Sequence, residues 1–170
     1  GNWSREVHSR SIEIDNRDFL TEEEIKNQTL DSIGALRLIR AFRVNGHLIA
    51  KLDPLNLKEV RQHPELDYRN YGFSEEDLNK SIFVDGSLGL HSAKLSEIIR
   101  ILGETYSGSI GVEFVHIQDP DQKQWVQERI EEVRNKTHFT DKGKRAIYRR
   151  LLEAEMFEKF LDKKYLGTKR

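Results

Sequence analysis

The chain has 170 residues, of which 28 are basic and 29 are acidic, so its formal net charge is −1. This balance argues against a general nucleic-acid binder, which normally carries a basic excess. The absence of cysteine excludes a disulfide scaffold, a thiol nucleophile and a zinc–thiolate site.

The composition is polar, with 36% hydrophobic residues and a mean hydropathy of −0.70. We therefore expect a thin core, or apolar surface shared with a partner or with further chain. The longest apolar runs are far too short to span a membrane, and no signal-peptide pattern opens the sequence. These features indicate a cytoplasmic protein without a membrane partner.

The first elements are an arm and a long helical segment. Residues 1–20 are charged and weakly patterned, so we interpret them as an arm or linker, and residues 21–170 as one helical domain. Thr21 and the three glutamates after it begin a helix, because acids favour the positive end of the helix dipole. From Leu30 onward, apolar residues recur at helical spacing, and Pro54 ends the segment. This apolar face comprises Ala35, Leu38, Ile39, Phe42, Gly46 and Ile49.

A basic stripe lies beside that apolar face. Arg37, Arg40 and Arg43 recur every three residues, and His47 follows four residues later. One interpretation is an anion or substrate-channel contact made by Arg43 and His47. The alternative is that His47 caps the helix or bonds Asp53 across the turn that follows.

The middle of the chain alternates loops with short elements. Residues 56–73 predict a polar surface loop with a helical turn, and a short helix begins at Ser74. Residues 94–106 have a clear helical period, whereas residues 109–117 alternate and predict a short strand or extended segment. The helical face comprises Leu95, Ile98, Ile99, Leu102 and Tyr106.

Two or three further helices complete the chain. One begins at Asp119 and Pro120, and another at Thr140 and Asp141. The segment around Phe157, Phe160, Leu161 and Tyr165 is either a separate last helix or a continuation of the second one after a bend at residues 153–156. Trp125, Phe157 and Phe160 are large enough to be core or interface anchors. The sequence therefore predicts a mainly α, irregular multi-helix domain with one or two short extended segments.

Three separated motifs resemble one known family. The first is AFRxxGHxxAxLDPL at residues 41–55, the second is GxIGxEFxHI at 108–117, followed by WxQxR at 125–129, and the third lies in residues 154–170. In order and spacing they resemble the N-terminal helical region of the first, decarboxylating component of 2-oxoglutarate dehydrogenase. The resemblance extends from about residue 30 to residue 170.

This resemblance implies a part of an enzyme of the citric acid cycle. The parent would decarboxylate 2-oxoglutarate on thiamine diphosphate with magnesium and pass the succinyl group to a lipoyl arm. The implied partners are the rest of the chain, a second copy in a parent homodimer, and the dihydrolipoyl succinyltransferase core. The family's cofactor-binding and catalytic residues follow this region, so we expect a structural, inactive segment without a cofactor or metal of its own.

The sequence departs from the family pattern in three places. Asn45 and Asn56 replace an arginine and a glycine that are common in the family, and residues 57–60 do not match the calcium-binding acids of some animal members. No calcium site is therefore expected.

The remaining candidates have simpler explanations. Glu113 and His116 fall on opposite faces of the predicted strand, with His116 expected to be buried. The basic run of residues 142–150 is followed by acids at helical distances, which favours a solvated ion-pair face. The alternative function is a stand-alone helical interaction module that binds an acidic partner through Arg37, Arg40 and Arg43.

Overall fold

The computed structural model describes residues 20–55, 57 and 62–165. The predicted arm lies outside these residues except for Leu20. Four helices dominate the described part: α1 (Glu22–Asn45), α2 (Leu95–Tyr106), α3 (Pro120–Glu132) and α4 (Asp141–Lys164). Short 3₁₀ turns occupy Gly46–Ile49, Pro64–Leu66, Tyr68–Tyr71, Glu76–Asn79 and Ser87–Gly89. The mainly α expectation is confirmed.

A capping box starts α1, as the sequence predicted. The Glu24 N–H donates to the Thr21 hydroxyl at 3.2 Å, and the Thr21 N–H donates to the Glu24 carboxylate at 2.7 Å. The helix then runs without a break for 24 residues, which is about 36 Å. Residues 22–30 are exposed throughout. Only the second half of α1 enters the core, so the first half projects from it.

The core lies where α1 crosses α2. The predicted faces of both helices are buried there, except that Ile49 and Ile99 are half-buried. Phe73, Val84 and Phe114 fill the remaining space from the loops. The Phe114 ring stacks on Tyr106, with 6.5 Å between the ring centres. The core is therefore built from two helices and a layer of loop residues.

Gly46 is the point of closest approach between the two helices. A Cβ at Gly46 would lie 2.5 Å from the Cβ of Tyr106, which leaves no room for a larger residue. The Ser107 hydroxyl donates to the Gly46 carbonyl at 3.0 Å, and the Lys51 N–H donates to the Gly108 carbonyl at 2.8 Å. The end of α1 is thus fixed to the end of α2.

Two short strands form an antiparallel hairpin. β1 (Ser81–Phe83) pairs with β2 (Ser92–Lys94), with Ile82 opposite Ala93 and both side chains buried. The connecting loop contains four residues with positive φ, and it packs near α3. These four residues are Asp85, Gly86, Leu88 and Gly89.

Of the two alternatives predicted for residues 109–117, a short strand or an extended segment, the strand is wrong. The segment has no regular structure, and only Phe114 in it is buried. The segment passes beside the end of α1, where the described residues form no strand with which it could pair. A Cβ at Gly111 would lie 3.3 Å from the His47 Cβ. His116 is exposed, so the expectation that it is buried is also wrong.

The last two helices start at the predicted caps. The Asp119 carboxylate accepts from two N–H groups of α3 at 3.0 Å, and the Thr140 hydroxyl accepts from the Gly143 N–H at 3.2 Å. Only Gly143 and Leu161 of α4 are even half-buried, so this helix stands apart from the core. No helix in the described part of the chain is long and apolar enough to cross a membrane.

Candidate functional site

Arg43 lies in the last turn of α1 and reaches across the molecule to α3. Its Nε donates to Glu131 Oε1 at 2.8 Å and its Nη2 donates to Glu131 Oε2 at 3.1 Å. The side chains are 20% and 10% exposed, respectively. This two-point geometry is the strongest form of an arginine–carboxylate pair. The guanidinium that the sequence offered as an anion contact is therefore already paired with an acid of its own chain.

Tyr106 of α2 completes a three-residue cluster with this pair. Its hydroxyl donates to Glu131 Oε1 at 2.5 Å, so one carboxylate joins α1, α2 and α3. We call Arg43, Tyr106 and Glu131 the interhelical cluster. Sequence reasoning identified Tyr106 only as an apolar position, and it missed Glu131, which lies 88 residues from Arg43.

The cluster shifts the ionisation of two of its members. Burial raises the pKa of the Tyr106 phenol far above its usual range, and the Glu131 carboxylate raises it further. Burial alone would lower the pKa of the Arg43 guanidinium, but the hydrogen bonds and charge of Glu131 outweigh it and raise the pKa. Tyr106 thus remains a neutral hydrogen-bond donor, and Arg43 remains charged. Neither can serve as a general base near neutral pH.

His47 lies in the 3₁₀ turn that follows α1. It is half-buried, and its Nδ1 atom is buried without a hydrogen-bond partner among the described residues. The Asp53 carboxylate accepts from the Leu55 and Leu57 N–H groups at 2.9 and 2.6 Å. The structure thus shows Asp53 ordering the turn after Leu52.

The three arginines of the predicted basic stripe differ in their contacts. Arg37 lies over the Tyr71 ring at 5.6 Å, Arg40 is exposed, and Arg43 belongs to the interhelical cluster. Arg43 is therefore the one of the three that is paired with an acid in the described part of the chain.

An open cleft of roughly 480 Å³ borders the interhelical cluster. Arg43 and Glu131 form one wall, and the loop between β1 and β2 forms another. Asp85, Glu128 and Glu132 make its rim acidic. Across the described residues, no three His, Asp or Glu side chains are grouped so that they could hold a metal ion.

The aromatic anchors and the basic run all lie on exposed surface. Trp125 is 65% exposed, and Phe157 and Phe160 are 60% and 53% exposed, so none of the three is in the core. On α4, both Arg149 and Arg150 pair with Glu153, at 2.8 and 3.0 Å, which agrees with the predicted ion-pair face. Trp125, Phe157 and Phe160 are large, apolar and exposed, which is typical of residues that anchor an interface.

Comparison with known proteins gives one consistent result. No protein-family model matches the chain. The chain is 53% identical over 152 residues to the 2-oxoglutarate dehydrogenase E1 components of Brucella anthropi, Brucella canis and Brucella abortus. The match covers 89% of this chain but 15% of each relative's length, in the N-terminal region. The resemblance seen in the sequence motifs is confirmed.

Proposed function

We propose that the chain is the N-terminal helical part of a longer 2-oxoglutarate dehydrogenase E1 chain, in which it has a structural role. The observation that carries this proposal is the 53% identity over 152 residues to relatives that are several times longer. The exposed apolar side chains of α4 support it, because such surface normally packs against further protein. The proposed location is the cytoplasm.

The proposed activity belongs to the longer chain. By its relatives' name, that chain would act on 2-oxoglutarate, with thiamine diphosphate supplying the carbanion chemistry and magnesium holding the diphosphate. In this proposal the catalytic steps belong to the part of the longer chain that follows these residues. The proposed partners are the rest of the chain, the second subunit of the parent homodimer and the dihydrolipoyl succinyltransferase core.

A domain exchange tests the proposal. The matched N-terminal region of the Brucella anthropi protein is replaced by the 152 matching residues of this chain, and the chimera is assayed for 2-oxoglutarate decarboxylation. We expect activity within about tenfold of the parent, because the helical part would dock on the same surfaces. A folded chimera without activity would contradict the proposal. Turnover by the isolated 170 residues, supplied with thiamine diphosphate and magnesium, would contradict the structural role.

We further propose that Arg43 and His47 contribute to an anion or channel contact in the longer chain. The position of Arg43 on the cleft wall supports this, although its Nε and Nη2 atoms already bind Glu131. His47 is therefore the residue to test. In the chimera, His47→Ala should raise the KM for 2-oxoglutarate with little change in kcat. An unchanged KM would leave the contact without support.

The stand-alone interaction module remains the alternative function. Exposed Arg40 favours this alternative. The pairing of Arg43 with Glu131 argues against it, because Arg43 is one of the three arginines predicted to bind an acidic partner. The genomic reading frame discriminates between the two functions. Several hundred codons after Arg170, including a thiamine-diphosphate motif, would support the enzyme part, and a stop codon there would support the module.

A further inference from the structure

Most basic side chains of α4 lie on one side of the helix, beside a row of large apolar side chains. At 100° per residue, one sector of about 120° holds four large apolar residues and five basic ones. The apolar residues recur every four positions and are between 43% and 67% exposed; they are Tyr148, Leu152, Met156 and Phe160. The basic residues are Lys142, Arg145, Arg149, Lys159 and Lys163. We call these nine residues the basic–apolar face.

The charge of this face is not neutralised by its surroundings. The only acid in the sector is Asp141, at the first position of the helix. Lys142, Arg145 and Lys163 make no ion pair with any residue that the structure describes. Arg149 and Lys159 pair with Glu153 and Glu155, but such exposed pairs contribute little and exchange readily. The face therefore combines unpaired positive charge with exposed apolar area.

We infer that the basic–apolar face docks into an apolar groove rimmed by carboxylates on another part of the longer E1 chain. Four side chains at a spacing of four residues form the row that a helix inserts into a groove. The basic residues flanking this row would meet a rim of opposite charge, which fixes orientation and register. This inference rests on the proposed function for the identity of the longer chain.

A second copy of α4 does not fit this face. If two such helices pair antiparallel about the midpoint between Leu152 and Met156, Arg149 of one faces Lys159 of the other, and Arg145 faces Lys163. In a parallel pair, each basic residue faces its own equivalent. Like charges oppose one another in both arrangements, and this is unfavourable.

A membrane surface fits less well than a protein groove. A helix that lies on a membrane needs a polar side toward water. The opposite side of α4 also carries exposed apolar residues, with Ile147 at 45%, Leu151 at 65% and Phe157 at 60%. A helix that is apolar on both sides is normally enclosed by protein.

Photo-cross-linking in the Brucella anthropi chimera tests the inference. Benzoylphenylalanine replaces Leu152, and the cross-linked peptides are identified by mass spectrometry. We expect one site in the downstream chain whose peptide is rich in Asp and Glu. The triple variant Lys142→Glu, Arg145→Glu, Lys163→Glu should lower the yield by about fivefold or more. The control variant Lys26→Glu, Lys51→Glu, Lys94→Glu, at exposed sites without described ion pairs, should stay within about twofold.

The other outcomes are decisive as well. Cross-links to a second copy of α4, to a peptide without acids, or equal yields in both triple variants overturn the inference while the chimera remains active. Sedimentation of the 170-residue chain with vesicles of phosphatidylcholine and phosphatidylglycerol overturns it in favour of a membrane surface. An inactive chimera overturns the proposed function instead, and the inference with it.

Discussion

Glu131 accepts hydrogen bonds from two other side chains, Arg43 and Tyr106. Its carboxylate neutralises Arg43 and accepts from Tyr106, and each of the three side chains lies on a different helix. Such a pair has a limited net effect when intact, because desolvating two charges offsets their attraction. Removing one partner is far more costly, since the other charge remains buried.

Glu131→Gln should lower the free energy of unfolding by about 3 kcal/mol, because it leaves the Arg43 guanidinium buried and uncompensated. Urea denaturation followed by circular dichroism measures this. The matched control is Glu132→Gln, whose side chain is 69% exposed and should change stability by about 0.5 kcal/mol or less. Equal losses in the two variants would show that the interhelical cluster has no special role.

Gly46→Ala should destabilise the protein by about 1–3 kcal/mol, since the added methyl group would meet the Tyr106 Cβ at 2.5 Å. The matched control is Gly103→Ala in α2, where nothing lies within 4 Å of the new Cβ. That change should stabilise the helix by about 0.5–1 kcal/mol. Thermal unfolding of both variants measures the difference, and the same sign for both would contradict the close packing at Gly46.

Sequence reasoning succeeded at single residues where a local rule decides the outcome. Thr21, Asp119 and Thr140 were found as helix caps because their side chains bond N–H groups within three residues. Glu131 could not be found, because nothing in its own helix distinguishes it from its acidic neighbours. Its role depends on an arginine 88 residues earlier in the chain.

At the scale of elements, Glu104 links α2 to the turn after α3. Its carboxylate accepts from Arg100 at 3.0 Å and from Lys136 at 2.9 Å, with Arg134 at 3.5 Å. The hydrogen bonds from Lys136 and then Arg100 lower the pKa of Glu104 from 4.5 to about 2. The carboxylate therefore stays charged in the folded chain at pH values where it would be protonated in the unfolded chain.

Glu104 should stabilise the folded chain more at neutral pH than at acidic pH, because folding lowers the pKa of its carboxyl group. This stabilisation is fully present above about pH 4.5 and is lost as the pH falls toward about 2. Glu104→Gln should therefore be less stable than the natural chain at pH 6, and the two should converge near pH 2. Denaturation curves at a series of pH values measure this. A constant difference across the series would contradict the assignment.

The elements differ in how well their sequence specified them. The four helices carry a 3.6-residue apolar period or clear caps, and both signals are local. The segment 109–117 has the period of a strand, but a strand also needs a partner, and the described residues provide none beside it. The real strands have three residues each, which is too short for a pattern to be recognised.

At the scale of the whole molecule, α4 contributes little to the core. Of its 24 residues, only Gly143 and Leu161 are half-buried, so its helical structure depends on caps and local ion pairs. Its exposed apolar residues give the described part of the chain an uncovered apolar surface. The sequence signalled this through its low apolar content, but it could not show which helix would remain uncovered.

Ending the chain at Phe139 should therefore leave core stability within about 1 kcal/mol of the full chain. The helical signal in circular dichroism should fall by the share that α4 contributes. The urea transition of the remaining circular dichroism signal should keep its midpoint. Loss of cooperative unfolding in the shortened chain would contradict the separation of α4 from the core.

The projecting half of α1 makes this helix a lever. Its packed part begins at Gly34, and the helix extends a further 12 residues to Glu22, which is about 18 Å. A tilt of about 5° at Gly34 would move Glu22 by about 1.6 Å. A small repacking of the buried half of α1 would thus produce a larger displacement at its N-terminal end.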